Sequence, residues 1–307
     1  MILITGAAGF IGSKVTQRLI DHGYKTLTID NLSTGKKENI PRETIFLEGD
    51  CGDRHIINQL GSYEIDGIIH IAGQSSGEVS FENPAYDLAS NTTSTVLLLD
   101  FARKKGIKRF IFASTMSVYG DQIQLPVNER SNVDPISFYA CGKLASENYL
   151  KIYSNFGIES IALRLFNVYG PGQNLENLKQ GMLSIYLAQA INKGEILVKG
   201  SKDRFRDFVY IDDVVNAFVK SYLGEWKEYN VYNVCSGKPT MVCELLDGIQ
   251  KSLGKQIGVL LNDGTPGDMF GIFGNYDKIN RDFSWKPTTF LNDGLKKMVD
   301  WALNIKE

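Results

Sequence analysis

Several features that mark specialised proteins are scarce in this sequence, and each shortage excludes something. Only four of its 307 residues are cysteine. Cys51, Cys141, Cys235 and Cys243 lie far apart and form no C-x-x-C. That removes both the spacing of a structural zinc site and the density of a disulfide scaffold. The three histidines, His22, His55 and His70, do not cluster, so no metal is expected. There is no excess of one charge: 33 basic and 35 acidic side chains leave a net −2. A dedicated nucleic-acid binder would carry a basic surplus. No apolar run reaches the about 18 residues that a membrane span needs. The opening MILITGAAGF has no basic flank and no small-residue cleavage site, so it is not read as a leader. Low-complexity tracts and internal repeats are also missing. A reducing, cytoplasmic setting is the expectation.

What is present is ordinary globular composition, 43% apolar and 22% charged, in a chain long enough for two lobes. Apolar runs of strand length alternate with helical periods. Met1–Thr5, Lys25–Asp30, Thr44–Asp50, Gly67–Gly73, Arg109–Ser114 and Glu159–Phe166 read as strands. Ile11–His22, Asn91–Lys105 and Tyr139–Asn155 read as helices. This alternation predicts an α/β fold, a doubly wound parallel sheet of Rossmann type. After Phe166 the pattern changes. Asn167–Gln180 reads as a loop, Phe205–Ile211 and Tyr229–Val234 as strands, and Gly181–Asn192, Thr240–Leu253 and Leu291–Asn304 as helices. Residues 1–166 are therefore expected to form a dinucleotide-binding domain, to which segments near 208–238 return. Residues 167–307 are expected to form a smaller mixed α/β substrate lobe.

The first strand runs into Thr5-Gly6-Ala7-Ala8-Gly9-Phe10-Ile11-Gly12, which opens the first helix. Gly6, Gly9 and Gly12 let the backbone turn tightly and let a pyrophosphate approach the helix N-terminus, where free amides favour anions. A glycine triplet alone is equally a plain tight turn. Its position is the stronger signal, because Asp30 ends the second strand 18 residues past Gly12. A carboxylate there accepts both hydroxyls of an adenosine ribose and repels a 2′-phosphate, favouring NAD over NADP. Asp50, in Gly49-Asp50-Cys51-Gly52-Asp53, either reaches the adenine edge or caps its loop.

Tyr139 and Lys143 form Y-x-x-x-K on one helical face. A free tyrosine has a pKa of about 10, and a nearby ammonium favours its phenolate. Such a tyrosine can take the proton of a sugar hydroxyl while hydride leaves the same carbon. Thr115, at the carboxyl end of the fifth strand, can contact the substrate oxygen, with Ser114 and Ser117 as competitors.

These motifs occur in one order with DNLSTG at 30–35, HIAGQSS at 70–76, STMSVYG at 114–120, YACGK at 139–143, RLFNVYGPGQ at 164–173 and RDFVYIDDVV at 206–215. Together they resemble the extended short-chain dehydrogenase/reductase superfamily, in its NAD-dependent nucleotide-sugar epimerase/dehydratase branch, over nearly the whole chain. The resemblance implies bound NAD and a nucleoside-diphosphate sugar. It casts Tyr139 as base, Lys143 as its electrostatic partner and Thr115 as the hydroxyl on the sugar. Around the cofactor it implies Phe10, Ile11, Asn31, Ser33, Gly35, Cys51, Ile71, Ala72, Gly73, Gln74, Asn91 and Ser114, beside Gly6, Gly9, Gly12, Asp30 and Asp50. Around the substrate it implies Ser76, Glu78, Met116, Asn167, Gly181, Met182, Arg206 and Asp268. A homodimer through paired helices is common in this branch.

Met116 and Ser117 stand where 4,6-dehydratases of the branch resemble T-D-E-V-Y-G with an acid pair. Neither can protonate a leaving hydroxide, so the expected reaction is C4 epimerisation of a UDP-sugar through a 4-keto intermediate. A net nucleotide-sugar oxidoreductase, with GDP or CDP as other bases, is the alternative. Gly264-Thr265-Pro266-Gly267-Asp268 lacks the Arg that often grips the diphosphate at this point. Glu78 either faces the sugar hydroxyls or is solvated. The Asp212-Asp213 pair is expected to cap a helix. With no net positive charge to stand in for it, Arg206→Ala is expected to weaken nucleotide binding strongly. Calorimetric titration with UDP reads this, and an unchanged affinity refutes the assignment of Arg206.

Overall fold

The computed structural model describes residues 1–264, 267 and 269–305. Six strands of the first half, β1 (Ile2–Thr5), β2 (Thr26–Asp30), β3 (Ile45–Glu48), β4 (Gly67–His70), β5 (Arg109–Thr115) and β6 (Glu159–Leu165), lie parallel in one sheet. The second half adds β7 (Asn167–Tyr169), β8 (Glu195–Lys199), β9 (Phe205–Arg206), β10 (Phe208–Tyr210), β11 (Tyr229–Val234), β12 (Thr240–Met241) and β13 (Gly258–Asn262). Of these, β11 pairs in parallel with β6 and completes the sheet order β11-β6-β5-β4-β1-β2-β3. The chain turns outward from β1 in both directions, which places a switch point between β1 and β4 at the carboxyl ends of the strands.

Side chains that alternate along each strand explain why the runs are apolar throughout. Ile2, Ile4, Ile69, Ile111, Ala113, Ile161 and Leu163 face one core, packed with the helices Phe10–Asp21 and Ile211–Leu223. Leu3, Ile68, Phe110, Phe112 and Ala162 face the other, with Leu97, Leu98, Phe101 and Leu150 from the helices Ser94–Lys105 and Phe138–Tyr153. A sheet covered on both faces needs apolar residues at both parities.

The second half builds three small two-stranded pieces: β7 with β10, β8 with β13, and β9 antiparallel to β12. Two expectations change here. Asn167–Tyr169 is strand rather than loop, and Thr240–Met241 is strand before the helix Val242–Leu253. The expected strand 205–211 is divided between two different partners. Asp213 does not cap its own helix. Its carboxylate accepts from the Thr288 amide and hydroxyl and from the Thr289 amide, anchoring the segment before the helix Leu291–Asn304.

A buried ion pair joins the catalytic-side helix to the sheet. Arg164 of β6 donates two hydrogen bonds to Glu147 of the helix Phe138–Tyr153, at 3.0 and 2.7 Å. Ser114 of β5 donates to the same carboxylate at 2.5 Å. Removing one member leaves a charge buried without its partner, a cost of about 3–5 kcal/mol. Glu147→Ala is therefore expected to lose about that much stability in urea unfolding. The double change Glu147→Leu with Arg164→Met is expected to lose far less.

Candidate functional site

The Gly-rich turn is held by contacts that no side chain could share. A Cβ on Gly12 would lie 2.0 Å from the Gly6 carbonyl oxygen, and one on Gly6 would lie 2.7 Å from the Ala72 amide nitrogen. The helix Phe10–Asp21 starts at Gly9 with no side-chain cap, so its first amides remain available to an anion. Thr5 Oγ1 accepts from the Ile71 and Ala72 amides, both at 3.2 Å, and binds His70 Nδ1 at 2.7 Å. Burial pushes His70 down to about 3, so it is neutral in this network.

Asp30 ends β2 beneath the turn. Its Oδ2 accepts from the Ala8 amide at 2.9 Å and its Oδ1 from the Leu32 amide at 2.8 Å. Asp50 accepts from Asn31 Nδ2 at 2.9 Å and from the Gly52 amide at 2.7 Å, so it does cap its loop while lying beside the Asp30 end. Asn31 Oδ1 in turn takes the Ser33 amide. Gly35 packs on Ala8 so closely that a Cβ would meet it at 2.7 Å. Cys51 is buried, Phe10 and Ile11 are half-buried, and the four cysteines are all free thiols. These features fit a dinucleotide: a helix start for phosphate, a carboxylate at the ribose position and a turn closed to side chains.

The catalytic candidates converge at the carboxyl end of β5. The helix Phe138–Tyr153 is capped by Ser137, whose hydroxyl accepts from the Ala140 amide. This fixes Tyr139 and Lys143 one turn apart. Tyr139 lies near the Thr115 side chain, which favours its phenolate. Lys143 is 3% exposed; its Nζ donates to the Ala113 carbonyl at 3.0 Å and lies 6.0 Å from the Tyr139 ring centre. Burial dominates both groups. It pushes the Tyr139 phenol up to about 12 and the Lys143 ammonium down to about 8. The expectation that Lys143 lowers Tyr139 is thus outweighed by desolvation in the unliganded chain.

Other predicted residues are placed differently. The Ser114 hydroxyl is turned to Glu147. Ser117 accepts from Thr115 Oγ1 at 3.2 Å. Glu78 pairs with Lys199 at 3.1 Å on a half-exposed surface, the solvated reading. Ser76 caps the short helix Gly77–Glu82 and donates to the Lys179 carbonyl at 2.7 Å. Arg206 is 2% exposed and donates to the Met269 carbonyl at 2.6 Å and the Phe270 carbonyl at 3.1 Å. It therefore holds the 269–270 segment as well as facing the lobe. Met116 packs against the core, and Gly181 and Met182 open the helix Met182–Lys193. Asp268 lies outside the described residues.

Three buried polar atoms near this region have no hydrogen-bond partner: Asn91 Oδ1, Asn167 Oδ1 and Gln173 Oε1. Buried acceptors without donors are costly, and a polar ligand relieves them. Gln173 was not singled out by sequence reasoning, although it closes the motif that contains Asn167. Asp87 was also missed. It is 1% exposed and accepts from Gln74 Nε2 at 2.7 Å and Asn91 Nδ2 at 3.1 Å. Among the described residues no group of three or more His, Cys, Asp or Glu could hold a metal ion, and no helix is long and apolar enough to cross a membrane.

A model of the NAD dependent epimerase/dehydratase family matches residues 2–235. A putative UDP-glucose 4-epimerase of Methanocaldococcus jannaschii is 34% identical over 306 residues, covering 99% of both chains. The UDP-glucose 4-epimerase of Mycolicibacterium smegmatis is 31% identical over 98% of both. The crystal structure of Thermotoga maritima UDP-glucose 4-epimerase with UDP-glucose matches with a TM-score of 0.95 at 32% identity, over 100% of this chain and 99% of that one. The Thermus thermophilus UDP-glucose 4-epimerase in complex with NAD matches with a TM-score of 0.91 at 29% identity, over 98% of each.

Gly73 lies between two of the candidate site residues, Asn91 and Lys143. A Cβ there would be 2.4 Å from Asn91 Oδ1 and 3.2 Å from Lys143 Nζ. Gly73→Ala is expected to weaken NAD binding at least tenfold while the protein remains folded. Fluorescence titration with NAD, alongside circular dichroism, reads both. Unchanged NAD affinity would remove Gly73 from the cofactor site.

Proposed function

Because the chain belongs to the NAD dependent epimerase/dehydratase family, we propose that it is an NAD-dependent nucleotide-sugar 4-epimerase that inverts C4 of a UDP-sugar through a transient 4-keto intermediate. The observation that carries this reading is the meeting of Thr115, Tyr139 and Lys143 at the end of β5, beside Gly73 and the Gly-rich turn. The named relatives supply the preference for UDP and for position 4.

Bound NAD supplies a hydride acceptor and, as the oxidised form, a positive ring charge. The chain's own residues do the rest. The Thr115 hydroxyl and the Tyr139 phenol lie near one another, so a sugar hydroxyl reaching both would meet hydrogen-bonding groups on two sides. Tyr139 takes the hydroxyl proton as the C4–H bond breaks and returns it when the opposite face is reduced. Lys143, held on the Ala113 carbonyl, supports the phenolate. The neutral Met116-Ser117 pair offers no acid for elimination, so the keto sugar is only reduced again. Gly6, Gly9, Gly12 and Asp30 would hold the dinucleotide. Asn167, Gln173 and Arg206 are the groups assigned to the nucleotide end.

In the same reading residues 1–166 with about 208–238 form the cofactor domain and residues 167–307 supply the substrate lobe. The protein works in the cytoplasm as a homodimer, with no nucleic acid or membrane partner. Exposed Tyr149, Ile152 and Phe156, on and just after the helix Phe138–Tyr153, supply apolar surface for such pairing.

Incubation with UDP-, GDP- and CDP-sugars, followed by NMR for products and absorbance at 340 nm for NADH, tests the function. The C4 epimer of a UDP-sugar without accumulating NADH is the expected result. Tyr139→Phe is expected to lower kcat by about 10²–10⁴. Stoichiometric NADH and an oxidised sugar as the final product would overturn epimerisation in favour of net oxidation.

A further inference from the structure

The active-site reading leaves one buried carboxylate without a task. Asp87 lies in the short helix Pro84–Leu88, capped by Asn83, just before the π-helical turn Ala89–Thr93. Nothing in its local sequence explains why an acid is fully buried there. Its Oδ1 accepts two hydrogen bonds, from Gln74 Nε2 and Asn91 Nδ2. Donors of this kind select the ionised form of a carboxyl group. Its second oxygen lies against Gly142, the residue before Lys143: a Cβ on Gly142 would be 3.5 Å from Asp87 Oδ2.

The Asn91 amide transmits this contact. Its Nδ2 is committed to Asp87 and to the Gln74 carbonyl, at 3.1 and 2.9 Å. Its Oδ1 is therefore turned the other way, toward Gly73 and the Lys143 ammonium, where it has no hydrogen-bond partner. Asp87 and the Gln74 carbonyl together set the amide with its oxygen, not its NH₂ group, toward the cation.

The groups that act electrostatically on Lys143 are few. Cys51 is a thiol pushed up to about 12 by burial, His70 is neutral, and Tyr139 is a neutral phenol at ordinary pH. Asp87 is the remaining one, and it raises Lys143 against the desolvation that lowers it. Its own carboxyl is raised by burial and drawn back down by Gln74, Lys143 and Asn91.

We propose that Asp87 is a positioning residue of the active site, whose carboxylate supplies the counter-charge for the Lys143 ammonium and fixes the Asn91 amide with its oxygen toward that ammonium. This rests on the epimerase reading only for what the ammonium is used for. The charge relation itself belongs to the fold.

Asp87→Asn is the informative variant, because it keeps an acceptor for Gln74 and Asn91 and removes only the charge. The NAD-loaded protein is labelled with ¹³Cε-lysine, and the resonance absent from Lys143→Met identifies Lys143. In Asp87→Asn the titration midpoint of that resonance is expected to fall by about one pH unit. The alkaline limb of the epimerase rate is expected to move down by the same amount, since activity is lost as Lys143 deprotonates. A midpoint unchanged within 0.2 units (on the order of the method's error) would overturn the proposal and leave Asp87 a packing residue. If Asp87→Asn does not fold, Asp87→Ala is titrated in its place with the same two outcomes. The NMR arm needs no turnover. Absence of epimerase activity in the wild type would therefore overturn the functional reading and leave Asp87 to be judged by the midpoint alone.

Discussion

The buried pair of Glu147 and Arg164 is the constraint on which the active site depends. Three elements meet at one carboxylate: Ser114 from β5, Arg164 from β6 and Glu147 from the helix Phe138–Tyr153. Arg164 also lies 4.7 Å from the Tyr119 ring centre, and Tyr119 donates to Asn233 next to the end of β11. Buried ion pairs contribute little net stability compared with apolar packing. What they do supply is register. Glu147 is one helical turn beyond Lys143, and Ser114 is the neighbour of Thr115. Fixing that turn against that strand end sets the distance between the Thr115 hydroxyl and the Tyr139 phenol.

The same site shows why unliganded chemistry differs from working chemistry. Desolvation raises Tyr139 and lowers Lys143, so the resting pair tends toward neutrality. A neutral phenol is a poor base. Positive charge entering the pocket would favour the Tyr139 phenolate, because opposite charge at short range offsets burial. Asn91 and Asp87 place polar and negative groups behind Lys143 in advance, so the ammonium is held without a direct carboxylate bond that would compete with the phenolate.

Much of this was legible in the chain. Every strand of the first half announced itself, because a sheet buried on both faces demands continuous apolar runs, and Tyr229–Val234 and Leu291–Asn304 were delimited to the residue. The Gly-rich turn, Asp30 and the Tyr139–Lys143 pair were readable because their spacing carries their chemistry. The rest was not, for physical reasons. Strands such as Asn167–Tyr169 and Thr240–Met241 are too short to show a period and exist only through their partners. Asp87 and Gln173 sit in polar segments where an acid or amide looks solvated, and only the fold buries them. Successive residues of a strand face opposite ways, and only the fold shows that the Ser114 hydroxyl beside Thr115 meets Glu147.

Near-neutral charge takes on a more definite meaning against this geometry. On the surface, Lys36 pairs with Glu176, Lys179 with Glu82 and Lys199 with Glu78, at 3.4, 2.7 and 3.1 Å. These cations are matched by acids, so they add no general positive field. Each exposed pair is worth only about 0–1 kcal/mol, and salt weakens it further. Contacts of that size cannot hold the segments they join rigidly. Arg206 differs in kind. It is buried, always charged and braced by backbone carbonyls, so its charge stays in place whichever exposed pairs form. In the proposed function, a diphosphate would therefore depend on helix-end amides and a buried guanidinium such as Arg206 rather than on a surface potential.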